Sequence, residues 1–118
     1  MLRILCKSKI KEAVLTGKSL HYNGSIGIDE KILKAADIFP GEQVHVLNQH
    51  SGERLITYAI KEKAGSGKVV LYGPAARRGE VGDTVVVLTY CHLETDECKN
   101  MKPRVVELSK GNKITKGK

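Results

Sequence analysis

A Gly-Ser pair near the start of the chain offers one kind of chemistry. Gly24 and Ser25 follow Tyr22 after one intervening residue, within a polar segment over 21–29. Taken alone, this segment is typical of a turn that leads into a strand. A serine hydroxyl can also attack the carbonyl carbon of the preceding residue when that peptide is held in an unusual conformation, and glycine tolerates such strain. The pair therefore predicts either a plain turn or a point of self-cleavage.

The elements that must position this pair are mostly strands. Short apolar stretches separated by turn-forming clusters run through the sequence, and glycine supplies the positive φ that tight turns need. Many short strands at such spacing suggest a small barrel. The predicted strands span 3–6, 13–16, 44–48, 55–60, 68–72, 84–90 and 104–108.

One segment departs from the strand pattern. Asp29 is a favourable helix N-cap, and Ile32, Leu33 and Ala36 recur near helical spacing. Pro40 and the glycine that follows it are expected to end this helix. The sequence thus predicts an all-β domain with one or two short helices.

Length and composition place limits on the class of protein. A chain of 118 residues with 41% hydrophobic and 4% aromatic residues predicts a single domain over 1–118 with an aliphatic core. Neither a membrane span nor a secretion signal is recognisable, so we expect a cytoplasmic location and no membrane partner. Three cysteines without Cys-x-x-Cys spacing predict reduced thiols and no metal site.

The net charge of +7 permits a second class, a small basic barrel that binds DNA. Four of the 20 basic residues and no acidic residue lie over 110–118, a lysine- and glycine-rich stretch that we expect to be a flexible tail. A charge concentrated in such a tail favours a protein without a nucleic-acid partner. The DNA-binding module of swapped-hairpin type is kept as the alternative.

Several further motifs occur in a fixed order with the Gly-Ser pair. They are Lys-Ser-Lys-Ile over 7–10, Gly-Glu-Arg over 52–54, Thr-Tyr-Ala-Ile over 57–60, Gly-Pro-Ala-Ala over 73–76 and Val-Gly-Asp over 81–83. With them, the chain from residue 1 to about 106 resembles the bacterial aspartate 1-decarboxylase family. The resemblance implies a double-psi β-barrel and a homotetramer with active sites between neighbouring subunits.

The resemblance also implies a cofactor made from the chain itself. The acyl group of Gly24 would migrate to the Ser25 oxygen, and elimination and hydrolysis would leave a pyruvoyl group on residue 25. Chains of residues 1–24 (the β chain) and 25–118 (the α chain) would result. The ketone forms a Schiff base with the substrate amine, so neither pyridoxal phosphate nor a metal is expected. The implied carboxy-lyase converts L-aspartate to β-alanine and carbon dioxide for pantothenate and coenzyme A synthesis.

The family's site residues carry over position by position. Arg54 would hold the substrate's side-chain carboxylate, with Lys9 as a second positive charge, and Tyr58 would be the proton donor. Thr57 would assist cleavage and contact the substrate. Without the resemblance, these would be a solvated strand charge and ordinary alternating strand residues. The other implied neighbours of the substrate are Gly73, Pro74 and Ala75, with Tyr22 and Tyr72 nearby.

Three positions depart from the family's usual residues. Lys11 stands where His is usual, Tyr72 where Asn is usual and Pro74 where Ala is usual. A phenol at position 72 fills space and changes the hydrogen bonds on offer, and proline removes an N–H from the substrate loop. L-glutamate as substrate, a member that no longer cleaves itself, and cleavage that needs an accessory maturation protein therefore stay open.

Overall fold

The computed structural model describes residues 1–116, which form nine strands, two short α-helices and two 3₁₀ turns. The strands are β1 (Leu2–Val14), β2 (Gly17–Ser19), β3 (Ser25–Asp29), β4 (Gln43–Asn48), β5 (Arg54–Glu62), β6 (Val69–Tyr72), β7 (Thr84–Glu94), β8 (Arg104–Ser109) and β9 (Lys113–Lys116). The helices are α1 (Glu30–Ala35) and α2 (Thr95–Cys98), and the 3₁₀ turns are Gly73–Arg78 and Lys110–Asn112. Within residues 1–116, neither helix is long enough to cross a membrane.

The sheet closes on itself because one long chain segment serves two of its strands. The strand order is β2-β6-β3-β5-β4-β7-β1-β8-β9. Only Leu15 and Thr16 separate β1 from β2, so the segment that pairs with β7 continues directly to pair with β6. The Thr16 N–H donates to the Val69 carbonyl at 2.8 Å across this junction. The predicted all-β class and small barrel with short helices are confirmed.

The barrel interior is aliphatic, as the composition predicted. Strand residues alternate between the core and the outer face, so that Ile26 and Ile28 of β3 and Leu71 of β6 are buried together. The core cluster contains only Ile, Leu, Val and Ala among its fully buried members. Aromatic side chains are thus left for the outer face.

The predicted cap at Asp29 is confirmed and does more than start a helix. Its carboxylate accepts hydrogen bonds from the N–H groups of Lys31, Gly65 and Gly67 at 2.8 to 3.0 Å. Burial alone would raise the pKa of Asp29, but these three donors outweigh it and hold that pKa below its ordinary value. One carboxylate therefore joins α1 to the turn between β5 and β6. The helix ends at Ala35, before the proline that was expected to stop it.

The expected flexible tail over 110–118 is wrong for residues 110–116, and 117–118 lie outside the described residues. β9 pairs antiparallel with β8, and Asn112 is buried. The Asn112 amide donates to the carbonyls of Val14 and Gly67, and its oxygen accepts from the Val14 N–H, each at 2.8 Å. The C-terminal segment is ordered because one amide side chain satisfies backbone groups at the barrel junction.

Replacing Asn112 with alanine tests this contribution. Three backbone groups of Val14 and Gly67 would lose their partners, so we expect the free energy of unfolding to fall by about 2 to 4 kcal/mol. Urea denaturation measures it. Lys113→Ala, at an exposed neighbouring position, should change the value by less than about 0.5 kcal/mol. Equal effects of the two substitutions would contradict a role for the amide.

Candidate functional site

The Gly-Ser pair lies where β3 begins on the outer face of the barrel. Ser25 pairs directly with Tyr72 of β6, and Gly27 lies between β6 and Ile60 of β5. Because Ile26 points into the core, Ser25 and Gly27 point outward together with Tyr72 and Ile60. Ser25 is nevertheless only 3% exposed. Neighbouring side chains therefore cover it on a face that solvent would otherwise reach.

Two cavities flank the peptide bond between Gly24 and Ser25. The first, of about 400 Å³, is lined by Tyr22, Asn23, Ser25, Tyr58, Ile60 and Tyr72. The second, of about 600 Å³, is lined by Gly24, Arg54, Leu55, Ile56, Thr57, Tyr58, Pro74, Ala75 and Arg78. Tyr58 lines both. The Gly24–Ser25 bond thus lies between the two cavities, and the Tyr58 phenol borders both of them.

A close backbone approach at Gly73 fixes the position of this bond. Gly73 has φ of +65°, and a Cβ there would lie 2.3 Å from the Tyr22 carbonyl oxygen and 2.7 Å from the Gly24 nitrogen. Glycine is therefore required both by conformation and by space. The Ser25 hydroxyl donates to the Asn23 carbonyl at 3.3 Å. The hydroxyl thus points back along the chain, towards the residue that precedes Gly24.

The larger cavity carries positive charge. Its two charged lining residues are Arg54 and Arg78. The Arg54 guanidinium lies 2.9 Å from His45 Nδ1, and Arg78 lies 3.6 Å from a Glu53 carboxylate oxygen. Both arginines keep donors available, because a guanidinium has five N–H groups. This cavity suits a small molecule with a carboxylate.

One wall of the smaller cavity is Tyr72, whose hydroxyl proton is donated to a residue outside the cavity lining. The Tyr72 hydroxyl donates to Glu62 Oε2 at 2.6 Å, and its ring meets Tyr22 edge to face with centroids 5.4 Å apart. Burial, followed by the Glu62 carboxylate, raises the pKa of Tyr72 to about 12. Tyr72 is therefore a fixed, neutral wall of the cavity that holds Ser25.

Most of the predicted site residues come together in these two cavities. Lys9 does not line either of them: it lies half-buried in β1, between β7 and β8. Across residues 1–116 there is no group of three or more His, Cys, Asp or Glu that could hold a metal ion. The predicted residues that line the two cavities are Tyr22, Gly24, Ser25, Arg54, Thr57, Tyr58, Tyr72, Pro74 and Ala75.

The sequence did not identify Arg78, Glu62 or Gly27 as parts of the site. Arg78 ends the 3₁₀ turn that carries the predicted substrate loop. Glu62 follows Tyr58 at a spacing of four, so the alternation within β5 puts both on one face. That spacing was the available signal. That signal could be used only with the knowledge that β3 lies between β5 and β6 in the sheet.

The fold and the site define a small β-barrel in which a Gly-Ser bond with a buried serine lies between an arginine-lined cavity and a tyrosine-lined one. The family model described as aspartate decarboxylase matches residues 1–115. The chain belongs to the aspartate decarboxylase family, as its motifs predicted.

Individual relatives agree over almost the full length. The chain is similar to aspartate 1-decarboxylase 1 of Gloeobacter violaceus, with 53% identity over 114 residues that cover 97% of each chain. Aspartate 1-decarboxylase of Thermoanaerobacter pseudethanolicus is 43% identical over 96% of this chain and 97% of the relative. That of Caldicellulosiruptor bescii is 47% identical over 93% and 86%. The region matched by the family model therefore spans the residues that line both cavities.

The environment of Tyr72 gives a spectroscopic prediction. We expect tyrosine absorbance to show one ionisation near pH 12, and Tyr72→Phe should remove that step. Because the pKa of Tyr72 is raised in the folded state, its stabilising contribution is fully present below pH 10 and is lost as pH rises from about 10 towards 12. Tyr90→Phe is the control and should leave the high step in place. A protein without a step above pH 11 would contradict the assigned environment.

Proposed function

We propose that this chain is an enzyme that converts L-aspartate to β-alanine and carbon dioxide after cutting its own backbone between Gly24 and Ser25. The proposal is carried by one observation. The bond to be cut lies between two cavities, of which one holds the serine and the other two arginines. Membership of the aspartate decarboxylase family favours this activity over the basic DNA-binding barrel.

Cleavage would begin with the Ser25 hydroxyl. Its oxygen attacks the Gly24 carbonyl carbon, the peptide C–N bond breaks, and the Ser25 nitrogen takes the proton, leaving an ester. Loss of the Ser25 α-proton then expels the Gly24 carboxylate and leaves a double bond at residue 25. Water replaces the nitrogen as ammonia and leaves a ketone. The contact at Gly73 supports the first step, because it holds the backbone of 22–24 in place.

The residues around position 25 fit a pyruvoyl group. The Ser25 side chain is buried and faces a cavity of about 400 Å³, walled by the rings of Tyr22, Tyr58 and Tyr72. These walls leave room for a small amino acid beside residue 25. The group supplies a ketone that condenses with an amine and accepts the electron pair released with carbon dioxide.

Recognition of an acidic substrate would fall to the other cavity. Arg54 and Arg78 both line it, and a guanidinium binds a carboxylate in a bidentate pair. Thr57 and Ala75 border the same space. The substrate's side-chain carboxylate would lie here while its amine reaches towards residue 25. Arg78 is an addition to the predicted set.

Tyr58 is the best placed of the three phenols that line the Ser25 cavity to return a proton to the substrate carbon. It borders both cavities and is 39% exposed. Tyr72 also borders the Ser25 cavity, but its hydroxyl proton is engaged by Glu62 and its pKa is raised to about 12. A proton held by a carboxylate is less available to a neighbouring carbanion. Tyr58 is therefore the proposed proton donor.

Assembly as a homotetramer, a cytoplasmic location, and the role in pantothenate and coenzyme A synthesis stay predictions. A site between subunits would account for the position of Lys9, which lines neither cavity of its own chain. In such an assembly, Lys9 could supply its charge to a neighbouring subunit. L-glutamate stays the alternative substrate.

Self-cleavage is tested by the mass of the denatured protein. We expect two species, residues 1–24 and 25–118, with the larger modified by borohydride in the presence of an amine. Ser25→Ala should remain one chain and lose decarboxylation, because no ketone can form. Ser66→Ala, in a second Gly-Ser pair within an exposed turn, is the control and should be cut normally.

A single uncut species after prolonged warming would contradict unaided cleavage. Addition of a bacterial extract then separates two cases, since cleavage in its presence would indicate an accessory maturation protein. Full decarboxylation by Ser25→Ala would contradict the mechanism altogether.

The role of Tyr58 gives a kinetic prediction. Tyr58→Phe keeps the ring and removes the proton, so kcat for L-aspartate should fall by about 100-fold to 10,000-fold. Cleavage into two chains should persist. Tyr90 lines neither cavity, and Tyr90→Phe keeps the ring that packs on His45, so this control should retain kcat within about threefold. A Tyr58→Phe enzyme with unchanged kcat would exclude this phenol as the donor.

A further inference from the structure

Three outward-facing residues on adjacent strands form a cluster beside Ser25. Gly27 is on β3, Glu62 on β5 and Tyr72 on β6. The sheet register places Ile60 beside Gly27 and Tyr72 beside Ser25. The side chain of Glu62, two residues after Ile60, therefore extends back along β5 and across β3 to reach Tyr72. The cluster therefore spans the strand that begins with the cleavage serine.

Gly27 provides the space that this cluster needs. A Cβ at position 27 would lie 2.0 Å from Glu62 Oε2, 2.8 Å from Glu62 Cδ and 2.9 Å from Tyr72 Cε2. Such separations are far shorter than van der Waals contact, so the Glu62 carboxylate occupies the volume of a side chain at 27. Gly27 does not have a positive φ. Glycine is required here for space and not for backbone conformation.

The hydrogen bond from Tyr72 to Glu62 is of the strong kind. An O–H donor and a carboxylate at 2.6 Å form a short, charge-assisted pair. Glu62 is half-buried, and the same bond contributes to the raised pKa of Tyr72. The phenol is consequently held in one orientation and kept neutral over the whole physiological range.

The opposite side of Tyr72 faces the cavity. Its ring packs edge to face on Tyr22, at an interplanar angle of 85°. Tyr22 and Tyr72 line the cavity together with Ser25 and Tyr58. The position of the Tyr72 ring therefore sets how much space remains beside residue 25. Glu62 controls that position from outside the cavity.

We infer that Glu62 is a positioning residue that fixes the Tyr72 ring as the wall limiting substrate length beside residue 25. With the side-chain carboxylate held by the arginines of the larger cavity, the added methylene of L-glutamate would push its α-carbon end against Tyr72, so the pair favours L-aspartate. This inference rests on the proposed decarboxylase function. A rigid wall can discriminate against one added methylene by roughly 10-fold to 200-fold. Without Glu62 the ring is free to move, and the longer amino acid fits.

Two substitutions break the pair in different ways. Glu62→Ala removes the hydrogen-bond acceptor. Gly27→Ala leaves both partners in the sequence but displaces the carboxylate by placing a Cβ 2.0 Å from it. Glu62→Gln restores an acceptor oxygen of the same size and is the conservative rescue. Glu107→Ala, another half-buried strand glutamate, is the matched control on β8.

The first readout does not depend on activity. Each substitution is made in the uncleavable Ser25→Ala chain, and tyrosine ionisation is followed by absorbance. Glu62→Ala and Gly27→Ala should lower the highest tyrosine pKa from about 12, but not as far as its ordinary value of 10, because the burial of Tyr72 remains. Glu107→Ala should not move it. An unchanged pKa of about 12 in both broken variants would overturn the assignment of Glu62 as the partner.

The second readout is substrate preference in the cleaved enzyme, with kcat and KM measured separately for L-aspartate and L-glutamate. Glu62→Ala and Gly27→Ala should reduce the aspartate-over-glutamate ratio of kcat/KM by about tenfold or more. The change should fall mainly on KM, and Glu62→Gln should recover most of the ratio. An unchanged ratio in the two broken variants, with the tyrosine pKa lowered, would overturn the specificity role.

Failure of the proposed function has a different signature. An unsubstituted protein that stays in one chain and decarboxylates neither amino acid would sink the function, and the specificity role with it. An unsubstituted protein that is cleaved and active, with variants that keep its preference, would overturn only the inference. Circular dichroism of each variant shows whether it is folded.

Discussion

The close contact between the backbone at Gly73 and that of residues 22–24 is the constraint on which the site depends. A positive φ at Gly73 turns the chain directly after β6 and brings it against the segment that precedes β3. Surface turns are usually free to move. This one is held at a separation that no side chain would permit. The burial of Ser25 and the two cavities on either side of its peptide bond follow from that contact.

Much of the fold could be predicted because its signals are local. Alternating aliphatic residues, glycine turns and the Asp29 cap each depend on a few neighbouring residues. The middle of β1 gave a weaker signal, because Ser8 is a polar residue and does not look like a core position in the sequence. In the structure its hydroxyl forms a hydrogen bond with that of Thr89, which allows both residues to be buried. Asn112 was missed for a similar reason. Its partners Val14 and Gly67 are 98 and 45 residues away, and composition cannot report such distances.

The site was predictable to the extent that its motifs are shared with a known family. The Gly-Ser pair, Arg54 and the Thr-Tyr pair on β5 came from that resemblance. The contributions of Glu62 and Gly27 depend on which strands are neighbours in the barrel, and that order is not sequential. The unusual residue Tyr72 on β6 is thus accommodated by Gly27 on β3 and Glu62 on β5. Tyr72 was recognised as unusual from the sequence, but the contacts that accommodate it could be seen only after folding.

The place of β1 in the sheet decides what a break after Gly24 would do to the molecule. β1 lies between β7 and β8, with backbone pairing to both, and its end is clasped by the Asn112 amide. Residues 1–24 would thus remain part of the barrel, because backbone pairing holds β1 as a central strand without a covalent link to the rest of the chain. The mature protein would be a heterodimer of its own fragments, in which a new chain terminus opens at residue 25 and the surrounding architecture is retained.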